Sequence, residues 1–531
     1  MEKLAYFCKK ENGLCFVCGK EDFVFSPHAV RIMRHFDLLR NQVSAVGQKV
    51  LEDIIDNFKR KTKINRKILI FRSLLNSEGE YSSAISQCSW YIASELKKRK
   101  IPFVFSNVKL MPDGGDFIGK EDLKRTLDNE KDIGFVVLPL TEFYIGGARK
   151  IGAFIKKCSE NVIIAAGGIM PTRYPYHVLA HFPEIGMIIR GDGEHAFADA
   201  VQILSEGDFK RLSELKGFFF RHENIFVSSF PEIINHVENL DSVYLDFNLL
   251  EKKDTEQGGF FYLTRGCRNA CKFCVSFSRG NPRVISVNKT DEWFGGYRTR
   301  LEELYSGNIP ENALNIGFYD DDLFADRGFG INVLKSAKKY GLKISFIQTA
   351  IKSFFKNGKI HDSFINEINK DYFSESCRTR NMHPNLFLGT ENFSDEELAV
   401  LGKGYSFKEI SVLVDSLSRH GITQRHHLIL SNVFTRLKHI KENIAMVYSL
   451  RHKYPKHFFL LQNITPSLYS FYGTASYAMA ENAGLLQNTN PHIISIEDFP
   501  EFDYPVAGGD TPADKEAAAI IPAAIEALKR I

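Results

Sequence analysis

The chain has 531 residues, of which 44% are apolar and 25% charged, with a formal net charge of +4. These shares exclude disordered and fibrous classes, and the length predicts about two to four domains, each with its own core. The small net charge gives no reason to expect a nucleic-acid partner, and the basic run "FKRKTKINRK" (58–67) reads as a solvated helix end. No run approaches the ~20 consecutive apolar residues of a membrane span, and the start "MEKLAYFCKKENG" lacks the apolar core of a secretory signal. A cytoplasmic protein without a membrane span is therefore expected. In that reducing compartment nine cysteines argue against a disulfide framework and for metal or redox chemistry.

Residues 1–64 read as an N-terminal helical extension, with "SPHAVRIMRHF" and "VLEDIIDNF" as its helical stretches. Within it, Cys8, Cys15 and Cys18 could bind zinc with a fourth donor such as His28, or remain free thiols. From Asn65, short apolar runs alternate with amphipathic stretches: "KILIF" (67–71), "IPFVFS" (101–106), "IGFVVLPL" (133–140), "VIIAAGG" (162–168) and "GMIIRGDGE" (186–194). Ile85, Cys88, Ile92 and Leu96 recur at helical spacing between the first two. Strand, helix, strand in this rhythm predicts an α/β domain over 65–235, a doubly wound, Rossmann-like parallel sheet that binds ligands at the carboxyl ends of its strands. "GFFFRHENIFVSS" (217–229) reads as a hairpin and 236–258 as a linker.

A second alternating series runs over 259–480: "FFYLT" (260–264), "LNIGFY" (314–319), "LKISFI" (342–347), "NLFLGT" (385–390), "RHHLIL" (425–430) and "HFFLLQ" (457–462). Six strands with intervening helices predict a full or partial β/α barrel with its chemistry on the C-terminal rim. His426 and His427 adjoin a strand whose alternation sends them to opposite faces, so one could face the lumen as an acid or base. Residues 481–531 form a C-terminal extension that includes an Ala-rich stretch, read as a capping helix.

The most informative stretch is "TRGCRNACKFCV" (264–275), directly after the first strand of the second series. Thiolates suit iron, and three of them hold a four-iron cubane with one iron left open. A zinc site or incidental thiols are the plainer alternatives, although zinc calls for a fourth ligand. The spacing Cys267-x3-Cys271-x2-Cys274, with Phe273 before the third cysteine, resembles the cluster loop of the radical S-adenosylmethionine (SAM) superfamily. That resemblance implies a 4Fe-4S cluster on these three cysteines, with SAM chelating the fourth iron.

The resemblance continues through the barrel. "GFYDDDLFAD" (317–326) is similar to the superfamily segment that contacts the SAM amino group, which implicates Asp321 and Asp322 in cofactor binding; a helix cap is the plainer reading. "LFLGTENFSDEELAVLGKGYS" (386–406) resembles the strand that carries a SAM-contacting glutamate, here Glu391, with Lys403 and Gly404 in the loop beyond. The chain departs from the family where Tyr-Gly-Thr (472–474) replaces Pro-Gly-Thr and "SNVFTRLKH" (431–439) replaces the usual GxPxET.

Residues 65–235 are similar to the cobalamin-binding domain that precedes the barrel in one subgroup. "VVLPLTEF" (136–143) and "AAGGIMPTRYPYHVLAHFPEIGMIIRGDGEHAFADAV" (165–201) carry that resemblance, which implies cobalamin contacts from Thr141, Gly167 and Gly168. No Asp-x-His occurs, so a histidine ligand to cobalt is not expected. The subgroup implies methylation of an unactivated carbon through a 5′-deoxyadenosyl radical and methylcobalamin, or, alternatively, cyclisation or rearrangement without methyl transfer. It also implies a small-molecule or peptide substrate and an external electron donor of the flavodoxin or ferredoxin type.

Overall fold

The computed structural model describes residues 4–10, 13–18, 67–72, 84–110, 117–140, 145–173, 175, 178, 182–207, 211, 215–222, 225–229, 234, 236–276, 280–368, 370–374, 385–461, 464–468, 474–485 and 512–530. They fall into two compact units, one centred on residues 1–238 and the other on 247–494 with 507–531. No helix among the described residues is long and apolar enough to cross a membrane.

The first unit begins with a correction. Where a helical extension is expected, β1 (Leu4–Lys10) and β2 (Gly13–Cys18) are antiparallel strands, with Cys8 and Cys15 as cross-strand partners. The sequence signal was there: Asn12-Gly13 between two apolar runs is a strong short-range hairpin mark. The rest of the extension, 19–64, lies outside the described residues, as does His28.

Next come β3 (Lys67–Phe71), α1 (Gln87–Lys98), β4 (Phe103–Ser106), α2 (Lys120–Asn129), β5 (Ile133–Pro139), α3 (Ile145–Cys158), β6 (Ile163–Gly167), α4 (Ile169–Arg173), β7 (Ile185–Ile189), α5 (Glu194–Glu206), β8 (Phe218–His222) and β9 (Ile225–Ser229). The sheet order is β2-β1-β9-β8-β7-β6-β5-β3-β4. Strands β3 to β7 are mutually parallel, and β8, β9, β1 and β2 extend them antiparallel. Six of the seven residues of β5 are buried, as a strand covered on both faces requires. The order of the five parallel strands reverses between β3 and β5, which makes their carboxyl ends a topological switch point.

The second unit carries β10 (Gly259–Phe261), β11 (Thr264–Arg265), β12 (Arg283–Val284), α6 (Val287–Tyr305), β13 (Asn315–Phe318), α7 (Arg327–Lys339), β14 (Lys343–Thr349), β15 (Asn385–Glu391), α8 (Asp395–Leu401), α9 (Phe407–Arg419), β16 (Gln424–Leu428), α10 (Leu437–Lys453), β17 (Phe458–Leu460), α11 (Ala475–Asn482) and α12 (Lys515–Arg530). Strands β10, β13, β14, β15, β16 and β17 pair in parallel in sequence order, the arrangement of a partial barrel. Ser286 caps α6 by accepting from the Lys289 amide at 3.1 Å, and Trp293, Phe294 and Tyr297 of that helix pack on Phe261. That packing defines the outer face of the sheet; neighbours along each strand face inward. The Ala-rich α12 packs on α10, and the Asp514 carboxylate accepts from the Leu437 amide at 3.1 Å.

Candidate functional site

The cysteine loop leaves β10 and is closed at its base by the short antiparallel pair β11 and β12. Gly266, at φ +106°, turns the chain into the loop, a conformation that favours glycine. Two backbone bonds shape it: the Gly280 amide donates to the Cys267 carbonyl at 3.1 Å, and the Cys274 amide to the Cys271 carbonyl at 3.3 Å. Cys271 is buried, and Cys267 and Cys274 are half-buried.

The loop also aims donors at its own sulfurs. Cys267 Sγ lies 3.4 Å from the Asn269 amide and 3.3 Å from Asn269 Nδ2, and Cys274 Sγ lies 3.3 Å from the Ser276 amide. N–H groups directed at thiolates are one of the ways a protein tunes a bound iron–sulfur cluster. Burial pushes the Cys267 thiol up, and the Asp322 and Asp321 charges add to that effect against the Asn269 donors. The site therefore suits a metal that displaces the thiol protons more than it suits free thiolates.

Among the described residues no group of three or more His, Cys, Asp or Glu side chains forms a metal-ion site. A polynuclear cluster holds each thiolate on a separate iron, so its ligands stand farther apart than those of a single ion. Three soft donors on one loop, with amide hydrogens turned toward two of them, fit such a cluster.

The acidic segment after β13 gives three neighbours three different surroundings. Asp320 is fully buried and accepts from the amides of Leu263 (2.9 Å) and Thr264, which fixes the chain leading into the cysteine loop. Burial raises its pKa to about 7 against those bonds. Asp322 is also buried and accepts from Thr349 Oγ1 at 2.6 Å, Ser353 Oγ at 2.8 Å and the Ala350 amide at 3.1 Å. Asp321 is the exposed one, and it bonds the Gly266 amide and the Ser276 side chain, both in the cysteine loop. Of the two aspartates expected to contact SAM, Asp321 faces solvent beside the cysteines and Asp322 is turned into the protein.

Glu391 ends β15. Three residues of that strand advance against two of β16 between the Leu388–His426 and Glu391–Leu428 pairs, and Glu391 itself has φ +67°. A left-handed glutamate at a strand irregularity is strained backbone that re-aims its side chain, a feature concentrated at functional sites. Its Oε2 lies 2.5 Å from His427 Nδ1, its Oε1 lies 3.8 Å from Lys403 Nζ, and His427 Nε2 lies 3.0 Å from Thr465 Oγ1. Burial alone would raise the Glu391 pKa, but His427 and Lys403 outweigh it and hold the carboxyl below its ordinary range. For His427 the Glu391 carboxylate overcomes burial and raises the pKa.

His426, one residue away, behaves oppositely. It faces outward, fully buried, 2.6 Å from Thr390 Oγ1 and with its ring 4.7 Å from that of Phe458. Burial lowers its pKa to about 3, so it is a neutral core histidine. The alternation predicted one inward histidine, and that one is His427. Its bond to Glu391 and the Thr465 contact carried no sequence signal, because they join residues 36 and 38 positions apart in the chain.

In the first unit, Gly167 ends β6 and Gly168 follows it. The Gly167 carbonyl accepts from the Leu140 amide at 2.8 Å. Gly168 has φ +105°, and a Cβ there would lie 3.0 Å from the Leu140 carbonyl oxygen, so backbone geometry alone requires glycine. Among the described residues, a Cβ on Gly167 would meet nothing nearer than the Ile189 carbonyl at 3.9 Å. The Arg190-Gly191-Asp192 segment is structural: Arg190 Nε donates to the Thr172 carbonyl, the Gly191 amide to Thr172 Oγ1, and Asp192 accepts from the Val237 amide. Thr141 lies outside the described residues. A glycine pair at a strand end beside the switch point is compatible with close approach of a bulky planar cofactor.

No family model matches the chain. Among curated proteins, an uncharacterised methyltransferase of Pyrococcus horikoshii is 24% identical over 281 residues, 52% of this chain and 55% of that protein. The anaerobic magnesium-protoporphyrin IX monomethyl ester cyclase of Synechocystis sp. is 27% identical over 130 residues, 24% of this chain and 25% of the cyclase. The chain thus aligns with about half or less of the length of these relatives. Among solved structures, the cobalamin-dependent SAM radical enzyme OxsB, with aqua-cobalamin and SAM bound, superposes with TM-score 0.65 at 16% identity, covering 87% of this chain and 66% of that one. The radical SAM methyltransferase TsrM of Kitasatospora setae, with cobalamin and a 4Fe-4S cluster bound, gives TM-score 0.54 at 13% identity, covering 80% and 76%. At these identities the likeness establishes the fold.

Proposed function

We propose that this chain, whose fold is that of cobalamin-dependent radical SAM enzymes, is itself one, and that it methylates an unactivated carbon of a small-molecule or peptide substrate. The observation that carries the reading is the cysteine loop: Cys267, Cys271 and Cys274 on one turn after the first barrel strand, with N–H donors aimed at Cys267 and Cys274. When bound, a reduced 4Fe-4S cluster, SAM and a corrinoid together supply radical generation and a transferable methyl group.

The chain's own residues have distinct tasks in this reading. Cys267, Cys271 and Cys274 hold the cluster and leave one iron for SAM. Asp321 and Glu391 offer carboxylates to the cationic and hydroxyl groups of SAM. His427 and Thr465 hold Glu391 in its strained position, and Asp320 ties down the strand exit from which the loop springs. Gly167 and Gly168 offer the corrinoid surface at the switch point of the first unit, and Thr141 is assigned a corrinoid contact from the sequence. A flavodoxin- or ferredoxin-type donor supplies the electron.

Protein purified without oxygen and supplied with iron, sulfide and cobalamin should show cluster and corrinoid absorbance and form 5′-deoxyadenosine from SAM. Replacing all three loop cysteines by Ala should abolish the cluster bands and that product together; retained SAM cleavage would refute the cluster assignment. Label from methyl-labelled SAM appearing in a substrate carbon supports methylation, and a cyclised or rearranged product without label overturns that part.

A further inference from the structure

We propose that Lys403 is the electrostatic partner of the cysteine loop, a buried cation that raises the reduction potential of the cluster on Cys267, Cys271 and Cys274. The inference rests on the functional reading above and deepens it.

Residues 401–405 form the backing of that loop through several independent contacts. The Lys272 amide donates to the Leu401 carbonyl at 3.0 Å. Gly402, at φ +70°, lies so close that an added Cβ would stand 2.9 Å from Lys272 Cγ and 3.4 Å from the Ala270 carbonyl oxygen. Phe273, the residue before the third cysteine of the loop, packs against Leu401, Ile429 and Leu468. Lys403 Nζ stands 5.7 Å from the centroid of the Phe273 ring and 5.7 Å from that of Tyr405. The Tyr405 hydroxyl lies 2.9 Å from the carbonyl oxygens of both Gly389 and Thr390, which share its one proton, so the ring under the ammonium is pinned.

The charge is therefore fixed in place and largely withdrawn from solvent, with Lys403 only 8% exposed. Burial would lower its pKa, but the neighbouring Tyr405 and Glu391 more than restore it. Lys403 stays protonated. Its carboxylate neighbour Glu391 is 3.8 Å away and is shared with His427 at 2.5 Å, so the negative charge does not cancel the ammonium outright. Reduction places one more negative charge on a cluster. A cation held beside it in a medium of low effective dielectric favours the reduced form, and loss of that cation disfavours it. A backing residue that touches the loop through the Phe273 ring acts on the potential without being a ligand.

The test is a redox titration followed by EPR on protein reconstituted without SAM, so that cofactor affinity does not enter. K403M, of similar length but uncharged, should shift the midpoint to more negative potential at unchanged iron content, and K403R should restore it. E391Q, which removes the neighbouring negative charge, should shift it the opposite way. A K403M cluster of full iron content with an unmoved midpoint overturns the inference. If K403M takes up no iron, E391Q decides: a positive shift supports the inference and no shift overturns it. Wild-type protein that never assembles a cluster sinks the functional reading and this inference with it, whereas an assembled cluster indifferent to Lys403 sinks this inference alone.

Discussion

The two faces of the six-stranded sheet share the same strands and differ in almost everything else. On the outer face Phe261, Phe318, Leu386, Leu388, His426 and Phe458 are buried to 1% exposure or less, closed off by helices such as α6. Inward, Tyr262 and Tyr319 are each 37% exposed, and the strand ends carry Asp321, Glu391 and His427. His426 and His427 show the difference in adjacent residues: burial strips one of charge, and a carboxylate keeps charge on the other. The lesson is that side-chain type does not assign a role here. The face does, because the outer face removes water from everything and the inner one supplies charged partners.

The contrast can be broken most forcefully by truncation. F261A, on the outer face, should cost about 3–5 kcal/mol of unfolding free energy from lost burial and the cavity left behind, read from urea denaturation midpoints. Y319A, partly in water on the inner face although its ring meets those of Phe260, Tyr262 and Phe346, should cost less, about 1–2 kcal/mol. Equal losses would erase the distinction between the faces.

Next in size is Glu391. E391Q retains volume and removes the charge, and should weaken SAM binding about tenfold, the loss expected for one charge-assisted hydrogen bond, measurable by equilibrium dialysis of the reconstituted protein. In the first unit, G168A should lose about 1–2 kcal/mol because its left-handed backbone penalises any Cβ. G167A should fold normally, since the added methyl stands 3.9 Å from the nearest described atom, yet it should lower corrinoid retention in spectra of the purified protein.

The smallest effect sharpens the inner face by pH. His427 has a raised pKa, so its stabilisation is complete below its ordinary value of 6.5 and is lost as pH rises through the raised folded value. Glu391 has a depressed pKa, so its stabilisation is complete above its ordinary value of 4.5 and is lost as pH falls through the depressed folded value. Together they predict greatest support between those two ordinary values. H427Q should flatten the alkaline limb of thermal stability against pH while the acid limb keeps its sign; an unchanged alkaline limb would remove His427 from the pair.

Much of this could be read in advance. All five parallel strands of the first unit and all six of the second fall on the apolar runs; where both faces are covered, as in β5, burial writes a continuous hydrophobic signature into sequence. The cysteine spacing was legible because three cysteines on one loop are local. The N-terminal strands were misread as helix although Asn12-Gly13 marked the turn. Asp322 read as a cofactor contact, yet its oxygens are taken up by Thr349, Ser353 and the Ala350 amide, residues some thirty positions away that no local pattern reveals.

By itself the sequence determined the strand series, the three-thiol loop and the single inward histidine, all properties of short-range spacing. Only the tertiary structure decided which acidic residue stays open to solvent, that Gly168 is demanded by the Leu140 backbone, and that Lys403 lies against the Phe273 ring. Those outcomes depend on which distant groups share a buried space, where desolvation and charge act over a few ångströms irrespective of separation along the chain.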